Sequence, residues 1–330
     1  MQPTIVPLDA TLGAKVTDID LTALDDSTWQ MIETAFFDYA LLLFPGQHLN
    51  EDEQNAFGRR FGQLLIESQP ISNASPDGGV FGPDTLRYWI LRGNEYWHHD
   101  SSFMPVAAKA SMLTAKVMPS SGGETEWADT RAAYDALDEP TRQRLVNLRA
   151  CHSNYYSHSQ LGQTARTGEF PSFHRYGAPV RSLVKHHPVT GKPALYTGRH
   201  AYGIEGLSAN ASVRLLADVM EAACQPPRTY KHRWQMGDLA VWDNLCVMHR
   251  GWPYDYRETR IMMHTRIAGN PETEYAPTVS DPLADTYEPL DFEVWCARGG
   301  MSRSQRFHAL LIFVRQLVQP RFGVSVFRER

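Results

Sequence analysis

The 330-residue chain has only four cysteines, Cys151, Cys224, Cys246 and Cys296, and none of them forms a C-x-x-C pair. That spacing excludes a thiolate zinc cluster and a disulfide-dense scaffold, so the thiols read as reduced and mostly buried. No run of 18 apolar residues occurs, which argues against a membrane-spanning helix. The opening "MQPTIVPLDATLG" lacks the charged start and apolar stretch of a signal peptide, so a cytoplasmic location is expected. A formal net charge of −5 leaves no basic footprint, and no nucleic-acid partner is expected. Repeats, low-complexity tracts and linker-like stretches are also missing, which favours one elaborated domain over two. With 42% apolar and 21% charged residues, the composition is that of an ordinary globular protein rather than a disordered one.

What is present reads as strands punctuated by turns, with helices at the edges. "DDSTWQMIETAFFDYA" spaces Trp29, Ile32, Ala35 and Phe36 as one helical face, with Ser27 or Asp26 as its cap. "LLLFPGQ" follows as a buried strand stopped by Pro45 and Gly46. "NEDEQNAFGRRFG" reads as a helix capped by Asn50 and ended at Gly62. Residues 64–94 carry "SNASPDGG" and "GPD" and are expected to be mostly loops and hairpins forming a lid. "ASMLTAKVMP" and "SSGGETEWAD" read as strands, "TRAAYDALDEPTRQRLVNL" as two helices broken near Pro140, and residues 182–197 as a hairpin turning at Thr190-Gly191. "SANASVRLLADVMEAACQ" is an amphipathic helix capped by Ser208 or Asn210. The stretch from 229 to 269 holds further strand-like runs, and "SQRFHALLIFVRQLV" a last helix. The expected fold class is mainly β with flanking helices, a jelly roll over residues 1–275 with a helical extension at 276–330 that packs on the domain or on a second subunit.

The densest chemistry sits in "YWHHDSSF", residues 96–103. Its aspartate can pair with the adjacent His99 or, across one residue, with His98. In an extended chain residues i and i+2 share a face and i+1 faces away, so His98 and Asp100 can grip one ion while His99 turns to the other side. An H-x-D triplet alone is also an ordinary polar strand end. His249, at the end of the apolar run in "WDNLCVMHRG", supplies a third candidate, although a lone histidine there is commonly a hydrogen-bonded core residue. Two histidines and one carboxylate make the facial triad of non-haem Fe(II) oxygenases, with positions left open for cosubstrate and oxygen. If the cosubstrate is a keto diacid that chelates the metal at one end, a buried cation must hold the other. Arg260, eleven residues past His249, is a candidate for that fork, the alternative being a surface arginine. Strand alternation then places Arg260, Met262, His264 and Arg266 on one face.

Together these residues resemble the TauD/TfdA family of Fe(II)/2-oxoglutarate-dependent dioxygenases. The likeness runs from about Asp18 to Asn270 and rests on "LLLFPGQ", "FGRRFGQL", "WHHDSSF", "PSSGGETEWAD" and "WDNLCVMHRG" followed by "TRIMMHTRIAGN". Within the family, "HDSSF", "SMLTA", "SGGETEW" and "RAAYDAL" are closer to the 2,4-dichlorophenoxyacetate type than to the taurine type. The resemblance implies a cupin-like double-stranded β-helix, His98, Asp100 and His249 as iron ligands, and Thr125 and Arg260 on the distal carboxylate of 2-oxoglutarate. It puts Asn94 where taurine-type enzymes contact substrate, has Trp97 and Phe103 wall the site, and makes His200 and Tyr202 candidates for touching the substrate. One departure stands out. Four residues past the cosubstrate arginine many members carry a second arginine for the substrate's anionic group, and this chain has His264. A histidine is a poorer anion anchor than an obligate cation, a lack for which Arg266 could compensate.

The implied activity couples oxidative decarboxylation of 2-oxoglutarate, with O2 as oxidant, to oxidation of a C–H bond in a small organic substrate, a carboxylic acid of the aryloxyalkanoate kind. The alternative substrate class is a natural-product intermediate, taken by a tailoring oxidase that hydroxylates, desaturates or closes rings. Relatives are commonly dimers or tetramers, so a homo-oligomer is expected.

Overall fold

The computed structural model describes residues 2–284 apart from 169 and 171. The helix expected over 304–318 lies outside the described residues. In chain order, β1 (Thr4–Pro7) and β2 (Ala14–Thr17) pair as a hairpin, α1 (Asp26–Tyr39) leads into β3 (Leu41–Phe44), and α2 (Glu51–Phe61) leads into β4 (Leu64–Ser72). Helix α3 (Leu86–Gly93) precedes β5 (Ala110–Val117) and β6 (Thr125–Asp129), and α4 (Thr130–Asp135) and α5 (Glu139–Leu145) precede β7 (Arg149–His152) and α6 (Asn154–Ser159). Then come β8 (Ala178–Ser182), β9 (Val184–His186), β10 (Pro193–Leu195), β11 (Ala201–Ile204) and α7 (Ala209–Ala223). The described chain closes with β12 (Thr229–His232), β13 (Leu239–Asp243), β14 (Val247–Gly251), β15 (Ile261–Ile267), α8 (Pro271–Glu274) and β16 (Thr278–Val279).

The fold is mostly β. Seven strands form one mixed sheet in the order β1-β2-β3-β13-β5-β15-β4, and three more form a small antiparallel sheet, β12-β6-β14. Alternation along the large sheet sorts its side chains. Leu42, Phe44, Ala110, Met112, Leu239, Val241 and Ile267 pack on Trp29, Ile32, Phe36, Phe57 and Phe61 of α1 and α2. From neighbouring positions Leu41, Leu43, Leu113, Ala115, Ala240, Trp242 and Met262 pack instead on Trp127 and Val247 of the small sheet. Each large apolar side chain fully buried this way contributes about 1.5–3 kcal/mol. The second layer, between the two sheets, is where the site lies.

Several helix ends follow from local chemistry. Asn50 and Glu53 of α2 satisfy each other's backbone N–H in a reciprocal capping box, and Ser208 caps α7. The cap of α1 is one residue earlier than expected: Asp25, rather than Asp26 or Ser27, accepts from the Thr28 N–H at 2.7 Å. A larger correction concerns residues 64–94. Only 73–85 is irregular, because β4 runs for nine residues along β15 and α3 for eight. The turn-rich "SNASPDGG" and "GPD" mark only the middle of this stretch, and β4 accommodates Pro70 because it is the edge of its sheet, where a missing N–H costs no ladder bond. Past residue 275 the chain continues on the same body, with β16 pairing β8 and Asp281 accepting from Ser153 Oγ at 2.5 Å.

Candidate metal centre

The segment carrying His98 is extended but is not part of a regular strand. It makes one antiparallel bridge, in which His98 and His249 exchange both backbone hydrogen bonds (3.0 and 2.9 Å). Ser101 then turns the chain with a φ of 56°. This single bridge sets the two imidazoles side by side, ring centroids 4.2 Å apart, with Asp100 beneath them. The alternation expected of the triplet holds. His99 faces away, its Nδ1 2.8 Å from the Asn244 carbonyl and its ring stacked on Tyr196.

His98, Asp100 and His249 are all buried, and each offers one ligand atom within 4.8 Å of the others. His98 Nδ1 lies 2.8 Å from the Tyr96 carbonyl, so that nitrogen carries the proton and Nε2 presents a lone pair. Nε2 of His98 is 3.9 Å from one Asp100 oxygen, and Nε2 of His249 is 3.9 Å from the other. Burial and the neighbouring His249 hold His98 well below its ordinary pKa, and burial brings His249 to about 4. Two neutral imidazoles turned on an ionised carboxylate are not ion pairs. The donor set fits a divalent cation, which takes neutral histidine and deprotonated carboxylate as ligands.

Asp100 is held by more than the triad. Arg266 donates to its Oδ1 at 2.7 Å, Ser111 Oγ to its Oδ2 at 2.6 Å, and His264 Nε2 stands 3.4 Å from Oδ2. Burial alone would raise this carboxyl, but Arg266, ahead of His249 and His264, keeps it well below the usual carboxylate range. Arg266 and His264 are therefore both committed to the carboxylate, and Arg266 is not the free anion anchor that alternation suggested.

A cavity of about 90 Å³ opens on the triad, lined by Asn94, Thr125, Trp242, Arg260, His264 and Arg266 among others. Arg260, His264 and Arg266 all reach it, and Met262 packs in the same layer, as a shared face requires. Arg260 is aimed by donating from Nε and Nη2 to the Gly123 carbonyl (3.2 and 2.9 Å), and Thr125 Oγ1 accepts from Trp234 Nε1 at 3.0 Å. Phe103 and His200 are not part of this lining, but pack beside it: the His200 ring is 6.0 Å from that of His98 and 4.8 Å from that of Phe103. Tyr202 is elsewhere, on β11 with its ring stacked on Tyr156.

Sequence reasoning passed over Ser111, Trp242 and Arg199. Arg199 immediately precedes His200, so its position was on view, whereas its lack of a carboxylate partner among the described residues was not. A second buried cluster, His187 with Asp243 and Cys246, also brings its ligand atoms within 4.8 Å of one another. There the imidazole has no lone pair to give: Nε2 bonds Asp243 Oδ2 at 2.9 Å, and Nδ1 accepts from the Val189 and Thr190 N–H groups. That histidine is structural.

Comparison with known proteins agrees with this geometry. The chain is 48% identical over 280 residues to a (S)-phenoxypropionate/alpha-ketoglutarate-dioxygenase of Sphingobium herbicidovorans, covering 82% of this chain and 97% of the relative. It is 40% identical to an alpha-ketoglutarate-dependent 2,4-dichlorophenoxyacetate dioxygenase of Cupriavidus pinatubonensis, covering 77% and 93%. The crystal structure of AAD-2 in complex with Mn(II) and N-oxalylglycine superposes with a TM-score of 0.77 at 36% identity, over 85% of this chain and 100% of that one. Residues 4–266 match the model of the family described as "Taurine catabolism dioxygenase TauD, TfdA family". The chain belongs to that family, and is an oxidoreductase that works with a metal ion and 2-oxoglutarate.

Proposed function

We propose that the chain is an Fe(II)-dependent enzyme that oxidises an unactivated C–H bond of a small carboxylic acid of the aryloxyalkanoate kind, consuming O2 and 2-oxoglutarate and releasing succinate and CO2. The observation that carries the reading is the meeting of His98, Asp100 and His249 with Arg260 in one buried cavity. The likeness to phenoxypropionate and dichlorophenoxyacetate dioxygenases puts the aryloxy acids ahead of a biosynthetic intermediate.

In this reading His98 Nε2, His249 Nε2 and the Asp100 carboxylate hold the iron. When bound with 2-oxoglutarate and O2, iron supplies the oxidation of the C–H bond. Arg260 takes the distal carboxylate of 2-oxoglutarate through its fork, fixed in advance by the Gly123 carbonyl. Thr125 accepts from Trp234, which leaves its own proton free to be donated to the same carboxylate. Trp242 and Leu113 give the cavity an apolar wall that limits water around the reacting atoms. When the carbon hydroxylated bears an ether oxygen, the resulting hemiketal breaks down without further help to a phenol and a 2-oxo acid.

The large sheet and the β12-β6-β14 sheet are read as the facing walls of a double-stranded β-helix. The protein is taken to act in the cytoplasm as a homo-oligomer, a dimer or a tetramer, with 276–330 as an extension of a jelly-roll domain at 1–275. Light scattering on the full chain checks the oligomer.

The test of function is anaerobic titration with Fe(II) and 2-oxoglutarate, watching the weak visible metal-to-ligand charge-transfer band. Oxygen uptake with both enantiomers of 2-phenoxypropionate and with 2,4-dichlorophenoxyacetate follows. A band together with acid-dependent, stoichiometric succinate supports the reading. A band without acid turnover sinks the substrate class alone, and no band sinks the whole of it.

A further inference from the structure

An imidazole that binds a metal through one nitrogen is aimed by whatever its other nitrogen touches. His98 has the Tyr96 carbonyl, 2.8 Å from its Nδ1. His249 has nothing of the kind: its Nδ1 is buried and has no hydrogen-bond partner among the described residues. What this ring has is Trp242 of β13, with ring centroids 4.6 Å apart and an interplanar angle of 53°. The aim of His249 therefore depends on how firmly that indole is held. Trp242 is fully buried, and its Nε1 donates to Asn244 Oδ1 at 2.9 Å.

Asn244 sits in the turn between β13 and β14, and its other amide atom leads to a second ligand. Nδ2 donates to Ser111 Oγ at 2.8 Å, and Ser111 Oγ donates to Asp100 Oδ2 at 2.6 Å. The direction of every bond in this chain is forced. An indole N–H can only donate, so Asn244 must meet Trp242 with Oδ1 and Ser111 with Nδ2. Ser111 then accepts from the amide, and its one proton is left for Asp100. Trp242, Asn244 and Ser111 are all shut off from water, so no solvent competes for these bonds. The main chain of Asn244 is fixed separately: its N–H donates to the Lys109 carbonyl at 2.9 Å, and its carbonyl accepts from His99 Nδ1 at 2.8 Å. The side chain thus springs from a pinned backbone.

We propose that Asn244 is a positioning residue for the metal centre, whose side chain sets Asp100 through Ser111 and His249 through Trp242. This rests on the reading of His98, Asp100 and His249 as the ligands. Neither Asn244 nor Ser111 lines the cavity, and both act through side chains that do. One amide in this way couples two ligands carried by different segments, Asp100 after α3 and His249 on β14. Their mutual placement is fixed before the ion arrives, so the ion does not have to order them on binding.

The experiment titrates the metal-free full chain with Mn(II), following the free ion by electron paramagnetic resonance. It uses the wild type, Asn244→Leu, Ser111→Ala, the two combined, and Trp242→Phe. Leucine keeps the shape of asparagine and removes both side-chain bonds. Asn244→Leu and Ser111→Ala are each expected to weaken Mn(II) by about 10–100-fold. Because both break one chain, adding Ser111→Ala to Asn244→Leu should cost no more than about threefold further. Trp242→Phe, which keeps a ring against His249 but not the N–H that orders the amide, should weaken Mn(II) by about threefold or more. The Fe(II)/2-oxoglutarate band of Asn244→Leu should move from its wild-type position. An Asn244 that merely fills the core would lower the unfolding midpoint and leave the Mn(II) titration and the band unchanged, and that result overturns the proposal. Losses that multiply in the combined variant overturn it too. If Asn244→Leu does not fold, as judged by its circular dichroism, Ser111→Ala and Trp242→Phe decide, and wild-type affinity in both rejects the role. His98→Ala separates this proposal from the ligand reading beneath it. Should His98→Ala bind Mn(II) as the wild type does, the ligand assignment has failed and the proposal with it, whereas a loss confined to His98→Ala rejects the role of Asn244 alone.

Discussion

Arg266 Nη2 donates to Asp100 Oδ1 across 2.7 Å, while Arg266 Nη1 donates to Ser101 Oγ at 3.0 Å. The carboxylate proposed to bind the metal thus already has a buried counter-charge, part of which it loses to competition when a divalent cation arrives. Removing the guanidinium should have opposite effects on the two states. In Arg266→Gln the apoprotein keeps a buried carboxylate without its cation and should lose about 3–5 kcal/mol. With metal bound, the ion takes over that role, so addition of Mn(II) should raise the melting temperature more in the variant than in the wild type. Thermal melts in EDTA and in saturating Mn(II) check this. A smaller metal-induced rise in the variant would mean that Arg266 chiefly orients Asp100.

The two adjacent histidines should separate cleanly. His98→Ala removes a ligand and should abolish the Fe(II)/2-oxoglutarate band with little change in apoprotein stability beyond its own packing. His99→Ala should keep the band, because its ring lies against Tyr196 and the Asn244 carbonyl on the far side of the chain. It should instead lower stability by about 2–4 kcal/mol, the cost of emptying a fully buried ring site. Absorbance titration and denaturant unfolding on both variants give the answer, and loss of the band in His99→Ala would reverse the assignment.

How much of this was legible beforehand depended on how local the cause was. The apolar runs that became β5, β13, β14 and β15 announce themselves by composition, and the α2 capping box lies within four residues. His98 and Asp100 share a face because extended backbone dictates it, even though only one bridge of β pairing forms there. β4 was hidden, since its right to hold Pro70 comes from being an edge, which is decided by partners some 190 residues away. The commitments of Arg266 and His264 to Asp100 are likewise tertiary facts. Spacing can place a charge on a face, but cannot say whether another group has already neutralised it.

Arg260 offers a test of geometry rather than charge. Its fork is fixed by two donations to one carbonyl, and a lysine keeps the cation without the fork. Arg260→Lys should raise the KM for 2-oxoglutarate by about 10–100-fold, with kcat at saturating cosubstrate within about threefold. Steady-state kinetics at varied 2-oxoglutarate measures both. A fall in kcat with unchanged KM would show that the arginine acts in the oxidation step and not in holding the cosubstrate.

Acid should unfold the metal-free protein early, and the sign follows from its histidines. Burial depresses His99 and His158 to about 3 and His174 and His249 to about 4, and it also lowers His98, His152, His200 and His264. Between the ordinary histidine value of about 6.5 and these depressed values, the unfolded chain binds protons that the native one refuses. Stability must therefore fall as pH falls through that window, by up to about 1.4 kcal/mol per pH unit for each such histidine. Above pH 7 these groups contribute no slope. Denaturant unfolding in EDTA from pH 8 to pH 4.5 should show a plateau followed by a steep decline beginning near pH 6.5. Saturating Mn(II) should add nearly constant stability from pH 7 down to about pH 5, because the native His98 and His249 refuse protons over that range and offer the ion an unprotonated site, and should lose it only as the pH approaches about 4. A flat profile down to pH 4.5 would mean that the buried imidazoles accept protons in the native state, and that the site is wetter than its packing indicates.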